Sequence, residues 1–203
     1  MTRLALALVF AVLSALAARA EVAIVAGGCF WCVESDFESV PGVQDVVSGY
    51  TGGTLESPTY ENHDGHYEAV KITFDPARIS YADLIAMFLR SVDVTDAGGQ
   101  FCDRGPAYRT AIFARTSGQK AAAQIAVVEA EAALGRKVVT PVLDATAFWQ
   151  AEAYHQDYAK GSKIVLTRAG PKKQSNAYKF YRKACGRDAA VKALWGDQAA
   201  FAR

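Results

Sequence analysis

The spacing of apolar residues changes several times along the chain, and each change marks an element. "EVAIVA", Glu21 to Ala26, is a short apolar run that ends at Gly27-Gly28 and predicts a buried strand. From Cys29 the period turns helical. Phe30, Val33, Phe37 and Val40 recur at three and four residues, Glu34 and Glu38 face away, and Pro41-Gly42 stops the run. "VQDVVSGYTGG" predicts a second strand closed by a glycine turn, and "HYEAVKITFDP" a third. Alternation in the third puts Glu68 on one face with Val70, Ile72 and Phe74, so its carboxyl points toward apolar company. Ser80 and Asp83 resemble a capping box, opening a helix whose stripe is Leu84, Ile85, Phe88 and Leu89. "YRTAIFA" (Tyr108 to Ala114) predicts a fourth strand, Gln119 to Leu134 a helix ended by Gly135, and "KVVTPVLD" a fifth strand. "WQAEAYHQDYAK" and the segment from Ser175 onward read as helical.

The order strand, helix, strand, strand, helix, strand is that of the split βαβ, ferredoxin-like arrangement. The expected fold is α+β: helices packed on a mixed sheet, with a C-terminal helical extension.

The first twenty residues, "MTRLALALVFAVLSALAARA", do not fit that plan. They carry an early charge at Arg3, an apolar run from Leu4 to Leu16 and a small-x-small end at Ala18-Arg19-Ala20. The run is too short for an ordinary membrane-crossing helix. Residues 1–20 are expected to be a signal peptide, with an uncleaved anchor as the alternative. Cleavage would leave one domain over 21–203 in a bacterial periplasm, with no stable membrane insertion. At 51% apolar residues that domain is not disordered, and a net charge of +1 gives no electrostatic case for nucleic acid. The basic stretch "PKKQSNAYKFYRKACGR" reads as a solvated helix face.

Four cysteines in an exported chain allow two ordinary disulfides. Cys29, however, sits where a strand passes through two glycines into a helix, near unpaired N–H groups that stabilise a thiolate below its free value of about 8.5. Cys32 follows on nearly the same helical face, as in a redox pair. Structural zinc uses the same spacing but needs two more ligands, and Cys102 and Cys185 are single cysteines without a second C-x-x-C, so no metal is expected.

With these residues in place, "GGCFWCVE" resembles the signature of the A-type peptide-methionine sulfoxide reductases, usually G-C-F-W-G-V-E. The resemblance continues through "GYTGG", "SPTY", "GHYEAV", "FDP", "DRGPAYR" and "AEAYHQDY", from about Val22 to Tyr158. It implies that Cys29 attacks the sulfoxide sulfur, that Phe30 and Trp31 hold the substrate's S-methyl group, and that Glu68 protonates the oxygen. Tyr60 and Tyr108 would donate hydrogen bonds to that oxygen, Asp103 would support the polar cluster, and His155 and Tyr158 would line or brace the pocket. The chemistry of the residues agrees, because a sulfoxide oxygen leaves only when protonated and a desolvated Glu68 keeps its proton near neutral pH. The resemblance further implies a sulfenic acid on Cys29, a disulfide with a second cysteine, and an external thioredoxin-like dithiol as reductant, without a bound cofactor. The expected substrate is the S epimer, free or in oxidised proteins, and the enzyme a monomer.

The chain departs from the family pattern in three places. Cys32 stands where the family usually has glycine and can resolve the sulfenic acid directly. The C-terminus lacks a Gly-rich tail, but Cys185, followed by Gly186, can swing in from a mobile segment; Cys102, beside Asp103, ranks after these two. The connection "ENHDGHY" is short, and of its histidines His66 reads as a structural donor. The alternative functions are a C-x-x-C oxidoreductase acting on protein disulfides and a non-enzymatic disulfide-stapled module.

Overall fold

In a computed structural model residues 19–202 are described, so the expected signal peptide lies, up to residue 18, outside the described residues. Strand β1 (Glu21–Gly27) leads through Gly28 and Cys29 into helix α1 (Phe30–Phe37), followed by β2 (Val43–Thr51), β3 (Tyr67–Phe74) and helix α2 (Tyr81–Leu89). A small hairpin, β4 (Gly99–Gln100) and β5 (Asp103–Arg104), precedes a 3-10 turn at Pro106–Tyr108 and strand β6 (Thr110–Ala114). Helix α3 (Ser117–Leu134) and the short strands β7 (Val142–Asp144) and β8 (Trp149–Gln150) come next. A second hairpin, β9 (Ile164–Thr167) and β10 (Gly170–Lys173), leads to helices α4 (Gln174–Ala184) and α5 (Arg187–Trp195).

The main sheet has the order β7-β6-β1-β3-β2-β8. Its inner four strands, β6-β1-β3-β2, are antiparallel neighbours, with β3 between β1 and β2. This is the ferredoxin-like order expected from the element sequence. β7 adds a parallel edge to β6, so the sheet is mixed. Helices α1, α2 and α3 cover one face, where Val25, Val70, Ile72 and Phe74 of the sheet meet Val33, Phe37, Leu84, Phe88 and Ala126. The expected cap of α2 is present: Ser80 Oγ accepts from the Asp83 N–H at 3.1 Å and donates to its carboxylate at 2.6 Å.

Four expectations need correction. The segment 149–160 is not an α-helix; only Tyr158–Lys160 forms a 3-10 turn. After β8 it runs as a loop whose Gln156 amide accepts from Ser48 N–H and donates to Ser48 C=O, both at 3.0 Å. A side chain thus does the work of a strand against β2, while Asp157 takes a positive φ of 53°. The strand in "KVVTPVLD" begins only after Pro141, which has no N–H to donate to a ladder. Tyr108 lies in the 3-10 turn before β6 rather than in the strand. Glu34 does not face water: it is buried, because the 149–160 loop covers that side of α1 and the Asp157 N–H donates to its Oε1 at 3.2 Å. Burial pushes its carboxyl up to about 8.

The C-terminal extension is helical, as expected, and Lys173, Lys179 and Lys183 give it the expected solvated face, but its arginines turn inward and it is not a swinging tail. Arg182 bridges Asp36 of α1 at 2.8 Å and Asp188 of α5 at 2.7 Å. Val191 and Trp195 are buried, and the Trp195 indole N–H donates to Val92 C=O at 3.1 Å. Two such side chains taken out of water stabilise the docked position by about 1.5–3 kcal/mol each.

Candidate active site

The sheet brings the expected residues to one end of β1 and β3. A cleft of about 500 Å³ opens there, lined by Cys29, Phe30, Trp31, Tyr60, Glu68, Asp103, Tyr108 and Tyr158, and by Cys102 and Cys185 at its far wall. Gly28 makes the approach of these walls possible. Its φ is +80°, and a Cβ there would meet Gln100 at 2.6 Å. Gln100 is itself fixed, accepting from Asp93 N–H and donating to Asp93 C=O, both at 2.8 Å. That clamp holds the β4–β5 hairpin, and with it Cys102 and Asp103, against the start of α1.

Glu68 is 2% exposed, on the β3 face anticipated from alternation. Its Oε2 accepts from the Phe30 N–H at 3.0 Å. The first amide of α1 therefore serves the carboxyl. Burial outweighs that bond and holds the Glu68 pKa at about 8, with Asp103 pushing in the same direction. Tyr60 and Tyr108 stand against it with their hydroxyls pushed above the ordinary phenol range, first by burial and then by Glu68. Both are fixed O–H donors at any working pH.

Cys29 caps α1 without a side-chain capping bond, and Cys32 lies buried one turn inside; both are free thiols. The expectation of a thiolate stabilised on Cys29 is not met in this resting state. The Cys29 thiol is raised well above its usual range, first by its pairing with Cys32, then by desolvation and by the nearby Glu68 and Asp103. Cys32 is lowered, by its pairing with Cys29 and by the positive charges of Arg187 and Arg182, against the effect of burial. The helix amide that might have favoured Cys29 is taken by Glu68. Of the two thiols, the inner Cys32 is the easier to ionise, on the side of Arg187.

An aromatic wall stands opposite. Trp31 stacks on Tyr158 at 3.8 Å and 7°, and His155 lies 5.0 Å from Phe30 and 5.4 Å from Trp31. His155 braces this wall from behind and does not line the cleft. Neither ring nitrogen has a hydrogen-bond partner, and burial lowers its pKa to about 4, so it is a neutral aromatic plate. His66 is structural: its Nδ1 accepts from Gly53 N–H at 3.3 Å, which leaves Nε2 to donate to Leu55 C=O at 2.9 Å.

Cys102 and Cys185 form a disulfide with Cα atoms 5.0 Å apart. Asp103 lies beside it, its pKa raised by burial against the pull of Arg187. These three residues have metal-ligand spacing, but both sulfurs are spent in the disulfide.

Three residues of the site were not singled out from sequence. Tyr50 is buried and donates to Glu152 Oε2 at 3.2 Å, and Glu152 Oε1 accepts from Tyr60 N–H at 2.9 Å. Glu152 thereby sets the position of Tyr60. Both lie inside quoted motifs, "GYTGG" and "AEAYHQDY", where attention to the neighbours of the chosen residues would have found them. Arg187 is 2% exposed and donates to Gly27 C=O at 3.1 Å and Ser91 C=O at 3.0 Å. It is a buried cation directly behind the strand end that carries the dithiol, and nothing in the basic run around it marks it out.

The comparisons with known proteins agree with this geometry. The family described as peptide methionine sulfoxide reductase matches residues 21–198. The chain is 50% identical over 192 residues to peptide methionine sulfoxide reductase MsrA 2 of Rhizobium meliloti, covering 94% of this chain and 91% of the relative. It is 48% identical over 198 residues to the MsrA 2 of Caulobacter vibrioides, covering 95% and 94%. Among solved structures it is similar to methionine sulfoxide reductase A of Corynebacterium diphtheriae, with a TM-score of 0.65 and 28% identity over 70% of this chain and 74% of that one. A dithiol at the head of α1, a carboxyl that keeps its proton and matches of this length lead to one conclusion: the chain belongs to the peptide methionine sulfoxide reductase family.

Proposed function

We propose that this chain reduces the S epimer of methionine sulfoxide, free and in oxidised proteins, with Cys29 as nucleophile and Glu68 as proton donor. The observation that carries the reading is the neutral Glu68 carboxyl buried in the same cleft as Cys29, beneath the hydroxyls of Tyr60 and Tyr108. The Cys29 thiolate attacks the sulfoxide sulfur while Glu68 protonates the oxygen. Tyr60 and Tyr108 hydrogen-bond that oxygen, Asp103 supports the polar cluster, and Phe30, Trp31 and Tyr158 enclose the S-methyl group. The attack forms a bond between the two sulfurs; the protonated oxygen then passes from the substrate sulfur to Cys29 as that sulfur–sulfur bond breaks, which releases methionine and leaves Cys29 as a sulfenic acid.

Cys32 then displaces water to form a Cys29–Cys32 disulfide. Its support is proximity, since Cys32 lies one turn inside α1 from Cys29 and the two thiols perturb each other's ionisation. Cys32 is buried, so a protein reductant has poor access to that bond, whereas Cys102 is exposed on the same cleft. Exchange with a Cys102/Cys185 dithiol returns Cys29 and Cys32 to thiols and moves the disulfide outward. An external thioredoxin-like dithiol reduces it there, and the cycle uses no bound cofactor. The enzyme acts in the periplasm after loss of residues 1–20, a reading supported by the leader sequence and by a family match that begins at residue 21.

Incubating the mature protein and dithiothreitol with the separated sulfoxide epimers tests the reading. Turnover is expected for the S epimer alone; a dead S reaction, or equal turnover of both epimers, contradicts it.

A further inference from the structure

The chemistry above leaves the β9–β10 hairpin unused, although it borders the cleft. Ile164 is 67% exposed and Leu166 84%, more than any other large apolar residue described. Strand alternation puts both on one face, while Val165 between them packs toward Tyr158 and Tyr178. Leu166 and Arg168 form part of the cleft rim. Among the described residues β9 makes no backbone ladder except with β10, so its outer edge is open. An open strand edge carrying apolar side chains is a liability unless something binds it.

We propose that the Ile164–Leu166 face is a docking ledge for the polypeptide around an oxidised methionine. The client lies extended along the free edge of β9, and apolar side chains flanking the sulfoxide rest on Ile164 and Leu166. The inference rests on the reading of the Cys29 cleft as the sulfoxide site. Continuity identifies the occupant: a side chain that enters the cleft on this side brings its own chain neighbours across Leu166. Free methionine sulfoxide has no such neighbours and gains nothing from the ledge. The favoured clients are therefore unfolded, apolar segments, which are also the ones able to add as a strand.

The test compares two substrates with dithiothreitol as reductant: free methionine S-sulfoxide, and a heptapeptide with leucines on both sides of the S-sulfoxide. In the full chain carrying Ile164→Ser and Leu166→Ser, the peptide-to-free ratio of kcat/KM is expected to fall roughly tenfold, through KM for the peptide. Ile125→Ser with Val128→Ser, on exposed apolar positions of α3 away from the cleft, is expected to leave the ratio as in wild type. An unchanged ratio in the hairpin variant overturns the ledge, as does an equal fall in the α3 variant. A loss that appears only when a thioredoxin dithiol replaces dithiothreitol assigns the surface to the reductant and also overturns it. A wild type inactive on both substrates refutes the sulfoxide reading itself, an outcome distinct from the others.

Discussion

Replacing Glu68 by glutamine is expected to lower kcat for methionine S-sulfoxide by about a thousandfold and to abolish the alkaline limb of the pH profile. The wild-type carboxyl holds its proton up to about pH 8, because burial on β3 penalises the carboxylate. Below that pH it can protonate the leaving oxygen; above it the acid is gone and the rate falls. Glutamine has no proton to give, although its carbonyl can still accept from Phe30 N–H and hold the start of α1. Unfolding is not an escape from this result. An ordinary glutamate ionises at 4.5, so between 4.5 and about 8 the folded state binds the proton more tightly than the unfolded one. Stability from this group is full below 4.5 and is lost as pH rises toward 8. The glutamine variant should therefore melt no lower than wild type at pH 8. A near-normal rate, or an alkaline limb that survives the substitution, rules out Glu68 as the acid.

The second large effect is expected at Cys32. With serine in its place the first turnover still releases methionine, since Cys29 and Glu68 are intact. The steady state driven by a thioredoxin dithiol is expected to drop by about a hundredfold, because the held neighbour that resolves the sulfenic acid is missing. Comparing the first-turnover methionine yield with the steady-state rate separates the two steps, and a sulfenic acid trap should label Cys29 in the variant. A steady state equal to wild type would mean that Cys185 or Cys102 resolves Cys29 directly.

Local rules made much of this legible before the structure. Alternation along β3 identified Glu68 as a buried carboxyl from the company of Val70, Ile72 and Phe74, and the element order gave the ferredoxin-like sheet that carries it. The glycines before Cys29 located a strand-to-helix turn, and Gly28 indeed has the positive φ that such a turn needs. What stayed hidden depends on contacts between distant parts of the chain. Arg187 reads as one more cation in a basic run until Gly27 and Ser91 are seen to accept from it. Glu34 has the spacing of a solvent-facing residue, and only the loop laid over α1 turns it inward. That loop read as helix because its aromatic and polar residues recur at helical spacing; the Gln156 amide, by standing in for a strand, overrides the pattern. The expected low pKa at Cys29 failed for a related reason: Cys32, desolvation and the carboxyls of Glu68 and Asp103, brought in from other strands, all push it up.

The central claim is that the Cys29 sulfur takes the oxygen and Cys32 receives the oxidation first. Protein with free Cys29 and Cys32 and a closed Cys102–Cys185 bridge can be mixed with methionine S-sulfoxide in the absence of reductant, quenched with an alkylating agent and mapped by mass spectrometry. Methionine equimolar with protein, a new bond between Cys29 and Cys32 and an untouched outer bridge are the predicted outcome. Methionine formed while Cys29 still takes up the alkylating agent as a free thiol would contradict it.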